Sequence, residues 1–308
     1  MSNEPDNVED DPVIVQRYEE AREIYLSGDK PRGMELMQKL AEEGTPQAQY
    51  FIGQHYLYTD QTSDPQRGLR WFSLAAESSF APAFYCLGKM HLYGWGVDRS
   101  LKEAFRFFVK GLQAGDANCG AVAGDLLVGG ELGDVRHDLA LPAYWEAARR
   151  GSALAQRRLG FYYSEGKEVE LDLTLARELY EAAAEQGDEY ASHGLALMYA
   201  DGRGVPRDLE KAIHWYTQAA EKGIALSKHN LATCYAHPES PIIDLELAAY
   251  WFHQAAEHGL KLSMQSLGRI YEFGEGVERD LEKARYWKEK AEKTEDHFVN
   301  GEPAPTLH

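Results

Sequence analysis

The chain has 308 residues, 44% hydrophobic and 27% charged, a composition that folds rather than staying disordered. Lys and Arg number 32 against 50 Asp and Glu, a formal net charge of −18 with His neutral. That charge repels phosphate backbones and anionic lipid surfaces, so neither nucleic acid nor membrane is an expected partner.

In chain order, residues 1–12 are expected to be an acidic, disordered tail, with Glu4, Asp6, Glu9, Asp10 and Asp11 and no base. The stretch lacks the basic start and apolar run of a signal peptide, and no later run approaches the ~18 apolar residues of a membrane span. Cys86, Cys119 and Cys234 are an odd number in a long chain and read as small apolar packing residues, not as a disulfide framework. Cytoplasmic localisation is the expectation. Residues 13–44 read as an atypical N-terminal helix pair, with Asp29, Gly33, Leu36 and Ala41 on columns that return downstream.

Residues 45–295 repeat. Gly115, Gly151, Gly187, Gly223 and Gly259 fall 36 residues apart. A second column reads Gly53, Gly88, Gly124, Gly160, Ala196, Ala232, Gly268, and a third Gly68, Ala104, Ala140, Ala176, Ala212, Ala248, Ala284. Aromatic columns follow three residues behind each, including Tyr163, Tyr199, Tyr235 and Tyr271 and then Trp71, Phe107, Trp215, Trp251 and Trp287. Each of the seven units predicts two amphipathic helices, as with Ala191, Leu195 and Tyr199 on one face and Leu209, Ala212, Trp215 and Ala219 on the next. Asp64, Ser100, Asp172, Asp208, Asp244 and Asp280 are placed to cap the second helix, and the repeat-closing Gly to end it. A two-helix unit cannot bury its apolar stripe alone, so successive units must stack, and the chain is expected to form one extended domain. The last helix, with Lys283, Arg285, Lys288, Lys290 and Lys293, has the polarity of a terminal cap, and residues 296–308 read as a flexible tail.

Residues 191–223 follow "AxxxLGxxYxxGxGVxxDxxKAxxWxxxAAxxG" almost in full. The pattern resembles the Sel-one-like repeat family, relatives of tetratricopeptide repeats, over about four-fifths of the chain. The resemblance implies an all-α fold, a right-handed α-α superhelix (solenoid) of helix-turn-helix repeats. It also implies scaffold or adaptor roles through protein binding, with no common catalytic residues. Three loops depart from the pattern: Thr59 to Ser63 lacks Gly-x-Gly, His237-Pro238-Glu239-Ser240-Pro241 replaces it with two prolines, and Arg136 takes the capping position with Asp138 two residues late.

Chemistry-bearing motifs are few. Gly94-Trp95-Gly96, Gly202-Arg203-Gly204 and Gly274-Glu275-Gly276 join helices and follow no strand, so they read as turns and not as phosphate loops. Of eleven histidines, His193 and His229 share a column and His253 and His258 lie five apart, with no HExxH and no Cys-x-x-Cys. They are expected to be solvated or groove-lining. No metal, cofactor or catalytic residue is expected, and no nucleophile signature is present.

Function then falls to the surface. In solenoids of this class the first helices face the concave side. Opposite their core face lie Tyr50, Gln54, Tyr58; Tyr85, Lys89, Tyr93; Arg157, Phe161; His193; and His229, the candidate partner-binding residues. The four tyrosines either line an exposed groove, where amphipathic aromatics favour binding, or pack against the first helix of the next repeat. The acidic excess serves solubility or steers a basic partner. The expected function is a monomeric, non-enzymatic scaffold or adaptor holding a protein or peptide in its groove. The alternative is a dedicated inhibitor or immunity protein neutralising one basic target.

Overall fold

The structure, a computed structural model, describes residues 11–59 and 63–295 and the backbone of 298–299 and 302–303. The acidic tail expected over 1–12 lies outside the described residues up to position 10, as do Asp60, Gln61 and Thr62 of the first irregular loop and most of the expected C-terminal tail. Within that tail Phe298–Val299 pairs antiparallel with Glu302–Pro303.

Sixteen helices run through the described residues: α1 (Pro12–Leu26), α2 (Lys30–Glu42), α3 (Pro46–Tyr58), α4 (Pro65–Glu77), α5 (Ala81–Tyr93), α6 (Leu101–Gln113), α7 (Ala117–Val128), α8 (His137–Arg149), α9 (Ala153–Glu165), α10 (Leu173–Glu185), α11 (Glu189–Asp201), α12 (Leu209–Glu221), α13 (Ala225–Ala236), α14 (Leu245–Glu257), α15 (Lys261–Phe273) and α16 (Leu281–Lys293). The fold is all-α, a tandem array of helix pairs. The chain divides into two compact units, Met1–Ala155 and Gln156–His308.

Local chemistry sets each helix boundary. Asp64, Ser100, Asp172, Asp208, Asp244 and Asp280 each accept an amide of their helix's first turn, satisfying one of its free donors. Arg136 makes no such side-chain bond, and Asp138 instead holds the Arg136 guanidinium at 2.7 Å. The capping residue's own amide also bonds a carbonyl near the end of the first helix: Asp64 to Tyr56, Ser100 to His91, Arg136 to Leu127, Asp172 to Tyr163, Asp208 to Tyr199, Asp244 to Tyr235 and Asp280 to Tyr271. This closure recurs at 2.8–3.1 Å in every unit, irregular loops included. It lets the loop chemistry vary while the helix pair stays registered.

The core is built on a column one residue beyond the aromatics read from sequence. Phe72, Phe108, Tyr144, Tyr180, Tyr216 and Phe252 form a column of buried rings, none more than 6% exposed, and Tyr199 and Trp287 of the columns read from sequence are buried as well. Trp71, Phe107, Trp215 and Trp251 are only half-buried beside them. In the four pairs from α3–α4 to α9–α10 the ring of this column lies on the small-residue column of the first helix: a Cβ on Gly53 would stand 2.7 Å from Phe72, and one on Gly160 2.8 Å from Tyr180. A second seam joins successive first helices through Ala48, Ala83 and Cys119 in the first unit and Ala191, Ser227 and Ser263 in the second, all fully buried. In α16 the ring column is broken by Lys288, which is exposed and salt-bridged to Glu272 at 2.7 Å, the polar ending expected of a terminal pair.

Candidate protein-binding face

Residues separated by four along a first helix share a face, so Tyr50, Gln54 and Tyr58 on α3 and Tyr85, Lys89 and Tyr93 on α5 align as two short rows. The structure divides these rows by depth. Tyr50 is half-buried, its ring 5.7 Å from Phe72 and 5.5 Å from Phe80, and its hydroxyl accepts from Gln54 Nε2 at 2.9 Å. Burial pushes its phenol above the ordinary range. Tyr85 sits 5.9 Å from Phe108, equally engaged with the core. Tyr50 also packs against the cluster holding Cys86 and Leu87 of α5, and Tyr85 against the one holding Cys119 and Ala123 of α7, so packing against the neighbouring repeat applies to both.

Tyr58 is different, whereas Tyr93 is half-buried and packs with Tyr85 against the Phe108 core. Tyr58, the last residue of α3, is 52% exposed, and its ring meets Trp95 edge-on at 6.4 Å. Tyr93 lies at 4.8 Å from Trp95, tilted by 30°. The Lys89 ammonium stands 5.6 Å from the Tyr85 ring centre and 5.5 Å from that of Trp95. Burial raises the Tyr58 phenol to about 12, with the neighbouring Cys86 and Tyr85 adding to the rise. The first unit thus carries one aromatic cluster of Tyr58, Tyr85, Lys89, Tyr93 and Trp95, exposed at Tyr58 and half-buried elsewhere, built from the end of α3, from α5 and from the loop after α5.

Trp95 is the residue that sequence reasoning missed. It stands between Gly94 and Gly96, both left-handed with φ of 76° and 71°. Gly96 rides on the start of α4, where a Cβ would lie 2.8 Å from Pro65. The loop is thereby pressed onto the preceding repeat, and its middle residue is delivered to that repeat's Tyr58. The same geometry recurs in the second unit: Gly204 rides on Leu173, and Arg203 reaches back to the Ser164 carbonyl at 2.6 Å and Glu165 at 3.1 Å. The signal was available, since the glycines recur while the residue between them changes from Trp to Arg to Glu.

In the second unit the candidate residues serve mainly as stitches. Arg157 pairs with Asp188 at 3.1 Å, both side chains only 12–13% exposed, with its guanidinium 5.0 Å from the Tyr190 ring centre. His193, expected to be solvated or groove-lining, is 8% exposed: its Nδ1 lies 2.7 Å from Ser227 Oγ and its ring packs on Tyr216. That expectation is corrected by the small seam residue at 227, which leaves a slot an imidazole fills. His229 repeats the arrangement on Ser263 at 2.8 Å, against Phe252. Burial lowers both imidazoles to about 4, so they are neutral near neutral pH. Phe161 alone among these candidates stays open, at 46%.

The cysteines are free and buried, and burial pushes the Cys86 and Cys234 thiols to about 11, away from the thiolate a nucleophile needs. Among the described residues no cluster of three metal-ligating side chains occurs, and no helix is long and apolar enough to cross a membrane.

A sequence model of the Sel1 repeat matches residues 19–45, 46–80, 84–116, 153–188, 190–224, 225–260 and 262–293, well over half of the chain. The chain belongs to the Sel1 repeat family. Its first Sel1 repeat falls on the N-terminal helix pair, and the stretch passed over is α7–α8, where Arg136 replaces the capping acid. Among solved structures, the protective antigen c5321 of uropathogenic Escherichia coli, which displays an SLR fold, is 28% identical, with a TM-score of 0.74 over 90% of this chain. The chain spans 61% of that antigen's length. A Sel1 repeat protein from Oxalobacter formigenes is also 28% identical, with a TM-score of 0.71 over 78% of this chain and 99% of its own. The immunity protein PA5088 of Pseudomonas aeruginosa is 20% identical over 68% of this chain and 82% of its own, with a TM-score of 0.49, a distance at which the likeness says nothing of function. Sel1 repeats are a protein-interaction fold, generally without enzymatic activity.

Proposed function

We propose that this Sel1 repeat protein is a cytoplasmic, non-enzymatic scaffold or adaptor, acting as a monomer and holding a protein or peptide partner on the first-helix face of its first unit. The observation that carries the reading is the aromatic cluster of Tyr58, Tyr93 and Trp95, exposed at Tyr58. These are large amphipathic rings gathered in one place, with Tyr58 exposed and Tyr93 and Trp95 half-buried behind it. Tyr and Trp lose little side-chain entropy on binding and dominate interface energetics. Buried, free thiols suit a reducing compartment.

Affinity capture with quantitative mass spectrometry tests it. A partner recovered with the wild-type chain should be depleted at least tenfold by Tyr58→Ser with Trp95→Ser, and retained by Phe161→Ser in the second unit. Equal recovery by all three would end the assignment. A dedicated inhibitor of one basic target is the second reading, favoured by the net charge of −18. It requires a single tight partner whose association slows steeply between low and physiological salt, whereas an adaptor held by aromatic contacts shows a shallow salt dependence.

A further inference from the structure

The aromatic cluster already holds a cation, and that cation is the chain's own. Lys89 extends from the middle of α5 and places its ammonium 5.6 Å from the Tyr85 ring centre and 5.5 Å from the Trp95 ring centre. Among the described residues it has no carboxylate partner. Tyr93 packs on Trp95 from one side and Tyr58 meets the same indole edge-on from another. The electron-rich faces of such rings attract an alkylammonium or guanidinium, so the cluster has the polarity of a cation site. Its occupant is a flexible side chain that can swing to water, and a planar guanidinium is less strongly hydrated than an ammonium and stacks better on aromatic faces.

We propose that the Tyr58–Tyr85–Tyr93–Trp95 cluster is a receptor for a cationic side chain of the partner, an arginine by preference, and that Lys89 is its built-in competitor. This inference rests on the protein-binding reading of that face and names the chemistry the face selects. The chain's charge of −18 favours the same class of ligand from a distance. Lys89 raises the threshold for binding: a lone cation gains little by displacing one already present, while a segment that also buries Tyr58 gains enough to expel it.

The test uses the full-length chain and a small probe, N-acetyl-arginine-N-methylamide, titrated by heat or by the Trp95 indole resonance in wild type, Lys89→Ala, Lys89→Gln and Lys89→Ala with Trp95→Phe. N-acetyl-glutamate-N-methylamide is run in parallel. Both Lys89 variants should bind the arginine probe about five- to tenfold more tightly than wild type, the loss of one or two cation–ring contacts from a competitor. The added Trp95→Phe should reverse the gain, and the acidic probe should bind none of them. Unchanged or weaker arginine binding in both variants overturns the proposal. So does acidic-probe binding to wild type that Lys89→Ala abolishes, because Lys89 would then be a contact for an anion. No protein partner enters the titration, so its failure is separable from failure to capture a partner on this face.

Discussion

Ser79 and Glu168 are the described non-glycine residues with left-handed backbones, at φ of 61° and 57°. Each occupies a column in which other repeats place glycine: Ser79 stands 36 residues before Gly115, and Glu168 36 before Gly204. The backbone there is dictated by the repeat, and the side chain is tolerated at a cost. Ser79→Gly and Glu168→Gly should therefore each stabilise the protein by about 0.5–1 kcal/mol, read as a raised urea midpoint at unchanged slope. A lowered midpoint would mean that the side chains contribute more than the strain removes. The seam histidines give a second residue-scale consequence. His193 and His229 have folded pKa values of about 4 against an ordinary 6.5, because burial disfavours the charged ring. The unfolded chain takes up protons below pH 6.5 that the folded chain refuses until about pH 4, so stability falls as pH drops through that window. The loss approaches about 3 kcal/mol for each fully titrated, fully buried histidine, and less for the more exposed His229. Urea unfolding at pH 7 and pH 4.5 should show a smaller decline in His193→Gln with His229→Gln than in wild type. Matching declines would place the acid sensitivity elsewhere.

At the scale of elements, the periodicity of small residues, acids and glycines was enough to read sixteen helices as pairs, with most caps and turns at the right positions. That legibility follows from the physics of caps: an oxygen side chain at the N-terminus and a left-handed residue at the C-terminus are local requirements that sequence displays directly. Depth was harder to read. Phe72 and Trp71 are adjacent on one helix, and only the packing against Gly53 decides that Phe72 is buried and Trp71 half-exposed. The same limit applied to the candidate face, where Tyr50 and Tyr58 share a row but only Tyr58 is open, and His193 sank into a seam because residue 227 is a serine. Trp95 was passed over because a Gly-x-Gly turn reads as backbone geometry, and its docking on the previous repeat is a tertiary fact. The loop's dependence on that docking is testable. Gly96→Ala sets a Cβ 2.8 Å from Pro65 on a backbone with φ of 71°. It should cost about 2 kcal/mol or more in thermal or urea unfolding and displace Trp95 from Tyr58. A near-neutral Gly96→Ala would show that the loop is not held by α4.

For the whole molecule, a length that would ordinarily outgrow one core divides into two compact units, and within each unit successive helix pairs bury their stripes against one another. Such an array needs polar ends, and Lys288 supplies one by replacing the buried ring of earlier pairs. Removing α15 and α16 would uncover Ala232, Ala249 and Phe252, which now pack with Met264, Leu267 and Trp287. The truncated chain should self-associate in sedimentation while the full chain does not. The charge of −18 leaves the whole surface hospitable to basic partners, but charge alone does not choose a place on it; the aromatic cluster does. Hydrogen–deuterium exchange of the full chain, free and bound to its captured partner, tests that claim most directly. New protection is expected at the C-terminal turns of α3 and α5 and through the loop from Gly94 to Ser100, with the second unit unchanged. Protection confined to α11–α16, with exchange around Tyr58 and Trp95 unaltered, would contradict it.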